Sequence, residues 1–353
     1  MNNIDKWTPT KYVFKKDKLT ASRETSQVHV GSRLITDRIA GFYDKAISAY
    51  IHGGALCDLG CGTAPLYIKY KDYADEVVLV DWDNSFHDNQ YLDYTCDLSK
   101  PLPFKDETFD SIILSDVLEH IPNPAQLLNE IYRCLKSRGV LLLNVPFFYW
   151  IHEAPHDYFR FTEHMLRIMA DEANLTLLQI ESIGGYNSIM ADLLAKKFAS
   201  KKSAFGFWVS DIIQRIALNS DKKKRDKTRW LFPHGYFLTA YKLPDNEKDY
   251  AEHLIFYGAG ARCKEVMRFM DDRGLKLPDE IWDVKHESIK EINNINVVAP
   301  RFVSGIEKPY EILLIICIDD ENISKSIGRK AFSAGIRMIM PAETYKAVCV
   351  NNR

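Results

Sequence analysis

A short apolar segment that ends in an acid and two glycines constrains the fold of this chain most. Residues 56–63 read LCDLGCGT, and a second apolar segment, 77–80, ends at Asp81. Gly60 and Gly62 can adopt a positive φ and, because they lack Cβ, they let a ligand lie against the backbone. The pattern predicts a buried strand, a tight turn and a second strand whose terminal acid takes two ribose hydroxyls, as in a βαβ nucleotide site.

The glycine spacing favours one class of cofactor. A dinucleotide fingerprint has a third glycine where a helix N-terminus meets a pyrophosphate. This chain has Pro65 near that position and no glycine. The sequence therefore favours a nucleoside cofactor without phosphate groups.

The segments that follow alternate strand and helix, which is typical of an open parallel sheet. We expect a helix over 32–50, strands ending near Asp97 and Ser115, a helix over 125–136 stopped by Gly139, and a buried strand over 140–145. Thr162 is expected to cap a helix over 163–173. The last two strands, 175–180 and 234–243, are expected to form an antiparallel pair at the edge of the sheet.

In order and spacing these motifs resemble the class I S-adenosylmethionine methyltransferases over roughly residues 30–243. The resemblance rests on DLGCG at 58–62, Asp81, CDL at 96–98, PF at 103–104, FD at 109–110, LEH at 118–120 and Gly139. HDYFRFT at 156–162 is similar to a small-molecule branch associated with polysaccharide and nucleotide-sugar pathways. The resemblance implies a seven-stranded, Rossmann-like α/β sheet that binds S-adenosyl-L-methionine, with Asp81 on the ribose and Asp97 on the adenine. The expected cofactor-binding residues are Asp58, Gly60, Cys61, Gly62, Asp81, Trp82, Asp97, Leu98 and Ser115.

The length of the chain, 353 residues, allows two domains. We expect a methyltransferase domain at 1–245, with an N-terminal cap at 1–50 and a helical insertion at 184–233. A polar linker at 244–249 would lead to a smaller α/β domain at 250–353. There Gly258, Gly260 and Asp283 resemble a Rossmann fingerprint with Cys263 in the third glycine position. Nucleotide binding and a role in packing or oligomerisation both remain open for this domain.

Methyl transfer to oxygen needs a base or a metal to take the proton of the acceptor. The loop after the fifth strand lies at the ligand edge of the sheet and is rich in suitable groups. The candidate catalytic residues are His156, His152, Asp157 and His120, and the candidate acceptor-binding residues are Trp150, Tyr158 and Arg160. An alternative is that Asp157 and Arg160 pair only to brace the loop.

A divalent metal is a second interpretation of the same region. On a helix, Asp116, Glu119 and His120 would share one face. With His156 they resemble the acid-x-x-Glu-His cluster of some small-RNA and ubiquinone-pathway O-methyltransferases. A histidine base without metal is the preferred interpretation.

Composition limits the partners. The balanced charge, 46 basic against 48 acidic residues, gives no global field for nucleic acid. The absence of a signal peptide or membrane span, with seven cysteines in no CxxC pair, favours a cytoplasmic protein with reduced thiols. The basic, aromatic stretch within 184–233 fits a helical cap, a dimer face or a contact with an anionic membrane. The favoured function is O-methylation of a sugar, nucleotide-sugar or glycan precursor. The alternatives are a methyltransferase-like assembly scaffold and an O-methyltransferase for a quinone or RNA.

Overall fold

The computed structural model describes residues 5, 7–83, 90–223, 227–243, 253–302, 306 and 312–351. The predicted linker at 244–249 lies outside these residues. The chain begins with a hairpin of β1 (Tyr12–Lys15) and β2 (Lys18–Ala21), followed by α1 (Arg33–Tyr50), which packs on β2. Among the described residues, no helix is long and apolar enough to cross a bilayer.

Seven strands form the first sheet, as the sequence predicts. They are β3 (Ala55–Leu59), β4 (Glu76–Asp81), β5 (Tyr94–Thr95), β6 (Phe109–Ser115), β7 (Leu135–Pro146), β8 (Thr176–Gly184) and β9 (Pro233–Tyr241). Their order is β5-β4-β3-β6-β7-β9-β8. All neighbours are parallel except that β9 runs antiparallel to both β7 and β8. The carboxyl ends of β3, β4, β6 and β7 therefore lie at one edge, where a ligand site is expected.

The helices of this unit are α2 (Tyr67–Tyr70), α3 (Pro124–Cys134), α4 (Glu163–Glu172), α5 (Tyr186–Ala199) and α6 (Ala204–Lys223). The cap at Thr162 is confirmed, because its side chain accepts a hydrogen bond from the Met165 amide. The prediction that Gly139 ends the helix is wrong. Helix α3 ends at Cys134, and Gly139 lies inside β7 after Arg138, whose φ of 62° bends the strand.

A second sheet follows with the order β12-β13-β11-β10-β14-β15, parallel except for β12. Its strands are β10 (His253–Tyr257), β11 (Glu280–Trp282), β12 (Glu291–Ile292), β13 (Ile295–Val298), β14 (Ile312–Ile316) and β15 (Met338–Pro341). Its helices are α7 (Ala261–Asp271), α8 (Glu321–Ser333) and α9 (Ala342–Asn351). The part of the chain expected to form a smaller α/β domain thus contains a mostly parallel six-stranded sheet and three helices among its described residues.

The second unit docks at the amino end of β3, opposite the ligand edge of the first sheet. His52 Nε2 donates to the Ile339 carbonyl at 3.3 Å, and a Cβ on Gly328 would lie 2.4 Å from the same imidazole. At the rim, Arg329 pairs with Asp75 at 3.0 Å. One buried apolar cluster contains side chains of both units, among them Leu56, Tyr241, Phe256 and Met340. The two sheets therefore share a hydrophobic core.

Candidate active site

The turn after β3 has the geometry that its glycines predict. Gly60 and Gly62 have φ angles of 71° and 52°. The Gly60 and Cys61 amides donate to the Val80 carbonyl at 2.8 and 3.1 Å, which ties the turn to the end of β4. A Cβ on Gly60 would lie 2.5 Å from Cγ2 of Val117. Val117 therefore requires a glycine at position 60 independently of any ligand.

Asp81 closes this turn from the end of β4. Its Oδ2 accepts from the Gly62 amide at 2.8 Å and its Oδ1 from the Trp82 amide at 2.8 Å. The carboxylate is 8% exposed. Each oxygen of a carboxylate has a second lone pair, so Asp81 can also accept from hydroxyl groups.

Asp58 supports the turn from inside the sheet. Its Oδ2 accepts from the Tyr70 hydroxyl at 2.8 Å. Burial raises the pKa of Asp58 to about 7, and the hydrogen bond from Tyr70 opposes that rise. Asp58 is thus a buried brace of the turn.

Asp97 lies at the edge of the same site, after β5. Its Oδ1 accepts from the Ser99 amide and hydroxyl at 2.9 and 2.6 Å, and these bonds lower its pKa. Leu98 beside it is buried, and Ser115 is the last residue of β6. The nine residues expected to bind the cofactor thus lie at or near the carboxyl ends of four neighbouring strands, β3 to β6, at one edge of the sheet.

The N-terminal segment covers this edge. Trp7 Nε1 donates to the Ala64 carbonyl at 3.2 Å, and Thr10 bonds to Thr63 at 3.2 Å. Lys11 Nζ lies 3.5 Å from Asp116, which follows β6. Residues 7–11 therefore form part of the wall of the site, in keeping with a cap.

A cavity of about 240 Å³ lies beside the turn, at the carboxyl end of β7. Its walls come from the N-terminal segment, α1, β7, the loop after β7 and the start of β9. Its polar and aromatic lining includes Lys11, His29, Asp116, Asn144, Tyr149, Trp150, His152, Glu153 and His234. A concave site that combines apolar and aromatic walls with a few convergent polar groups is typical of a small-molecule site.

His234 is a residue that the sequence reasoning missed. It is 2% exposed, lines the cavity, and neither ring nitrogen has a hydrogen-bond partner among the described residues. Burial lowers its pKa to about 3, so the ring is neutral. A buried imidazole without partners costs free energy unless a ligand supplies the hydrogen bonds. The sequence signal that could have indicated it is its position at the start of the predicted strand 234–243, which pairs with the end of β7.

The loop after β7 is braced by an ion pair. Arg160 donates to Asp157 through Nη1 and Nη2 at 2.5 and 2.8 Å, and Asp157 also accepts from the His152 amide at 3.0 Å. These contacts, led by the bond from Arg160, lower the pKa of Asp157 to about 2. The ion pair therefore braces the loop and holds the Asp157 carboxylate 3.3 Å from Nδ1 of His152.

The structure separates the two candidate histidine bases. His152 lines the cavity, and its Nδ1 lies 3.3 Å from Asp157. Burial and the neighbouring His120 lower the pKa of His152. His156 lies outside the cavity lining, with its ring 5.1 Å from that of Trp82 and its Nδ1 3.1 Å from the hydroxyl of Tyr158. His152 is thus the histidine of this loop that faces the space for an acceptor.

A cluster of Glu119, His120 and His152 lies behind the cavity. Glu119 Oε1 is 3.6 Å from His120 Nε2 and 3.8 Å from His152 Nε2. Glu119 is fully buried, and neither of its oxygens has a hydrogen-bond partner among the described residues. Burial, with Asp116 nearby, raises its pKa well above the ordinary value. The carboxyl group is therefore either protonated or neutralised by a bound cation.

The donor set of this cluster fits a divalent metal. One ligand atom from each residue can be chosen so that all lie within 4.8 Å of one another. His120 Nδ1 donates to the His156 carbonyl at 2.8 Å, which leaves Nε2 free to act as a ligand. Asp116 and His156, which the sequence grouped with this cluster, lie near it but are not among its three candidate ligands. Asp116 is not on a helix: its φ is 54°, and its carboxylate meets Asn144 and Lys11.

Comparison with known proteins agrees with this geometry. Residues 57–143, from β3 to β7, match the family model of the methyltransferase domain. Over these residues the chain is similar to the methyltransferase-domain family. The match confirms, for this part of the chain, the predicted enzyme class with S-adenosylmethionine as its cofactor.

Individual relatives resemble the chain only in part. An uncharacterised protein of Methanocaldococcus jannaschii is 34% identical over 102 residues, which cover 25% of this chain and 39% of that protein. The alignment thus spans less than half of that relative.

Two solved structures resemble the chain more distantly. The first is an S-adenosylmethionine-dependent methyltransferase from Archaeoglobus fulgidus. It is 18% identical with a TM-score of 0.38, over 56% of this chain and 89% of that one. The second is phosphoethanolamine N-methyltransferase 2 of Haemonchus contortus. It is 16% identical with a TM-score of 0.35, over 55% of this chain and 50% of that one.

Proposed function

We propose that the protein is an S-adenosylmethionine-dependent O-methyltransferase that acts on a hydroxyl group of a sugar, nucleotide-sugar or glycan precursor. The observation that carries the proposal is the partly open cavity beside the glycine turn, whose lining includes the imidazoles of His152 and His234. The proposed domains are 1–245 for methyl transfer and 250–353 as a Rossmann-like unit that packs against it. The predicted cytoplasmic location remains part of the same proposal.

The cofactor would lie along the carboxyl edge of β3, β4 and β5. In this arrangement Asp81 would accept from the ribose hydroxyls, and Asp97 would accept from the adenine amino group. Gly60 and Gly62 hold the turn, and Trp82 lies at the rim. The cavity beside the turn, with Asp116 in its lining, would then hold the acceptor.

His152 is the proposed base. Its lowered pKa keeps the imidazole neutral near pH 7, so it can accept the proton of an acceptor hydroxyl. Bound S-adenosylmethionine would supply the activated methyl group. Asp157, 3.3 Å from Nδ1, then stabilises the protonated ring. His234 and Trp150 would orient the acceptor by hydrogen bonding and stacking, whereas Tyr158 and Arg160 would support the loop.

The second candidate mechanism is metal-assisted, and the unpartnered oxygens of Glu119 favour it. Glu119, His120 and His152 would hold a divalent ion, which supplies Lewis acidity that lowers the pKa of a nearby hydroxyl. In that case His152 is a ligand and not a base.

One experiment tests the proposal and separates the mechanisms. The full-length protein is incubated with methyl-labelled S-adenosylmethionine and panels of free sugars, nucleotide-sugars, glycans, quinones and RNA, with and without a chelator. Label transfer to a sugar hydroxyl supports the proposal. Transfer only to a quinone or RNA contradicts the acceptor class, and cofactor binding without turnover on any panel favours the scaffold. Loss of turnover with chelator, restored by added divalent metal, identifies the metal mechanism.

A further inference from the structure

We propose that residues 184–233, the helical segment between β8 and β9, dock the protein on an anionic lipid bilayer. Half of the exposed large apolar side chains among the described residues lie in this segment. They are Tyr186, Met190, Leu193, Leu194, Phe205, Trp208, Ile216, Trp230, Leu231 and Phe232, ten of twenty. This concentration of apolar surface marks an interaction face.

The apolar side chains form stripes at helical spacing. On α5 the exposed positions are 186, 190, 193 and 194, and on α6 they are 205, 208 and 216. Phe205 and Trp208 are 68% and 61% exposed, and their rings lie 6.0 Å apart. The rings of Tyr186 and Phe232 lie 5.5 Å apart, which extends the α5 stripe to the end of the segment. Apolar stripes with aromatic residues are typical of helices that lie in a membrane interface.

The charge of the segment is opposite to that of the chain. Residues 184–233 contain eleven Lys and Arg against four Asp and no Glu, a net charge of +7 in a chain of net −2. Lys197, Lys201 and Lys202 are exposed at the end of α5 and after it. The two acids that the structure describes here are paired, Asp192 with Lys196 and Asp211 with Arg215. The segment thus presents a positive surface that complements anionic headgroups.

The charge and the apolar side chains of residues 184–233 argue against two other partners for this surface, a second copy of the chain and a nucleic acid. A two-fold contact with a second copy would bring two segments of net +7 together. A nucleic-acid surface uses basic and polar groups for the phosphates and has little use for exposed Leu, Ile and Met. An anionic bilayer can bind both the apolar stripes and the positive charge of the segment.

The inner faces of the two helices attach this surface to the cavity wall. Lys196 Nζ lies 4.1 and 4.7 Å from the ring centroids of Tyr149 and Trp150, which line the cavity. Gln214 accepts from the Leu34 amide and donates to the Val30 carbonyl, both at 2.7 Å. The apolar stripes therefore lie on the outer side of a rigid wall and can contact lipid without opening the core.

The test is flotation of the full-length protein with vesicles of mixed phosphatidylcholine and phosphatidylglycerol, compared with phosphatidylcholine alone. The expected result is binding to the anionic vesicles that salt weakens. The double variant Phe205→Ser, Trp208→Ser should lower the partition coefficient by a factor of about ten or more. Lys201→Gln with Lys202→Gln should lower it roughly tenfold to thirtyfold, at about fivefold per charge. Ile323→Ser, a change of a 50% exposed side chain on α8, is the matched control and should change nothing.

Three results would overturn the proposal. The first is no binding to either kind of vesicle. The second is binding that neither pair of substitutions weakens, with both variants folded by circular dichroism. The third is a dimer or an RNA complex that the Phe205 and Trp208 substitutions abolish while vesicles are not bound. None of these results bears on methyl transfer, which is measured separately with soluble acceptors.

Discussion

Gly60→Ala tests the physical account of the cofactor turn without any knowledge of the acceptor. An alanine with the observed φ of 71° costs roughly 1–2 kcal/mol. The added Cβ also lies 2.5 Å from Cγ2 and 3.0 Å from Cγ1 of Val117, and such crowding costs roughly 1–3 kcal/mol. We therefore expect Gly60→Ala to lower the free energy of unfolding by roughly 2–5 kcal/mol, measured by urea denaturation followed by circular dichroism.

Two further variants separate these contributions. Val117→Ala removes two buried methyl groups and alone costs roughly 1.5–2.5 kcal/mol. In the double variant the crowding is relieved, so the combined loss should be smaller than the sum by roughly 1–3 kcal/mol. Gly41→Ala is the matched control: it lies within α1, its added Cβ meets nothing within 4 Å, and it should stabilise by roughly 0.5–1 kcal/mol. If the losses at positions 60 and 117 add to within about 0.5 kcal/mol, contact with Val117 is not the reason for the glycine.

Two other predictions concern the histidines. His152→Ala should lower kcat roughly 10²–10⁴-fold and leave the cofactor affinity, measured by calorimetry, unchanged. His156→Ala is the control and should retain kcat. Equal losses of kcat in the two variants would refute the assignment of His152 as the base. The second concerns His234, whose pKa is lowered from 6.5 to about 3 in the folded chain. Between these pH values the unfolded chain binds a proton that the folded chain does not. The free energy of unfolding therefore decreases as the pH is lowered, by up to about 1.4 kcal/mol per pH unit. His234→Phe should flatten the decline in the free energy of unfolding between pH 6.5 and 4; an unchanged slope would show that the ring is not buried in its neutral form.

The sequence predicts the first sheet well because its strands are buried apolar runs that end in acids and glycines. Asp81 and Gly62 could be placed together because parallel strands bring their carboxyl ends to one edge. The position of Gly139 inside β7 could not be predicted. The positive φ of Arg138 and the register of β7 against β6 depend on strand pairing, which no local sequence pattern reveals.

The acceptor side of the site was harder to predict. His152 and His156 lie on one loop, and only the folded path of that loop decides which of them faces the cavity. His234 lies far along the chain, and its place depends on the pairing of Pro146 with Gly235 between β7 and β9. The shared core of the two units was hidden for a similar reason, since apolar residues of an interface and of a domain interior look alike in a sequence.

That shared core makes the two sheets one cooperative structure. Because side chains such as Leu56 and Met340 belong to the same buried cluster, neither unit can unfold without exposing the apolar surface of the other. A ligand that binds only the folded first unit adds stability to the whole, about 2.7 kcal/mol at a hundredfold excess over its Kd. Saturation with the methyl donor should therefore slow proteolysis within β10 to β15, at sites that the donor never touches.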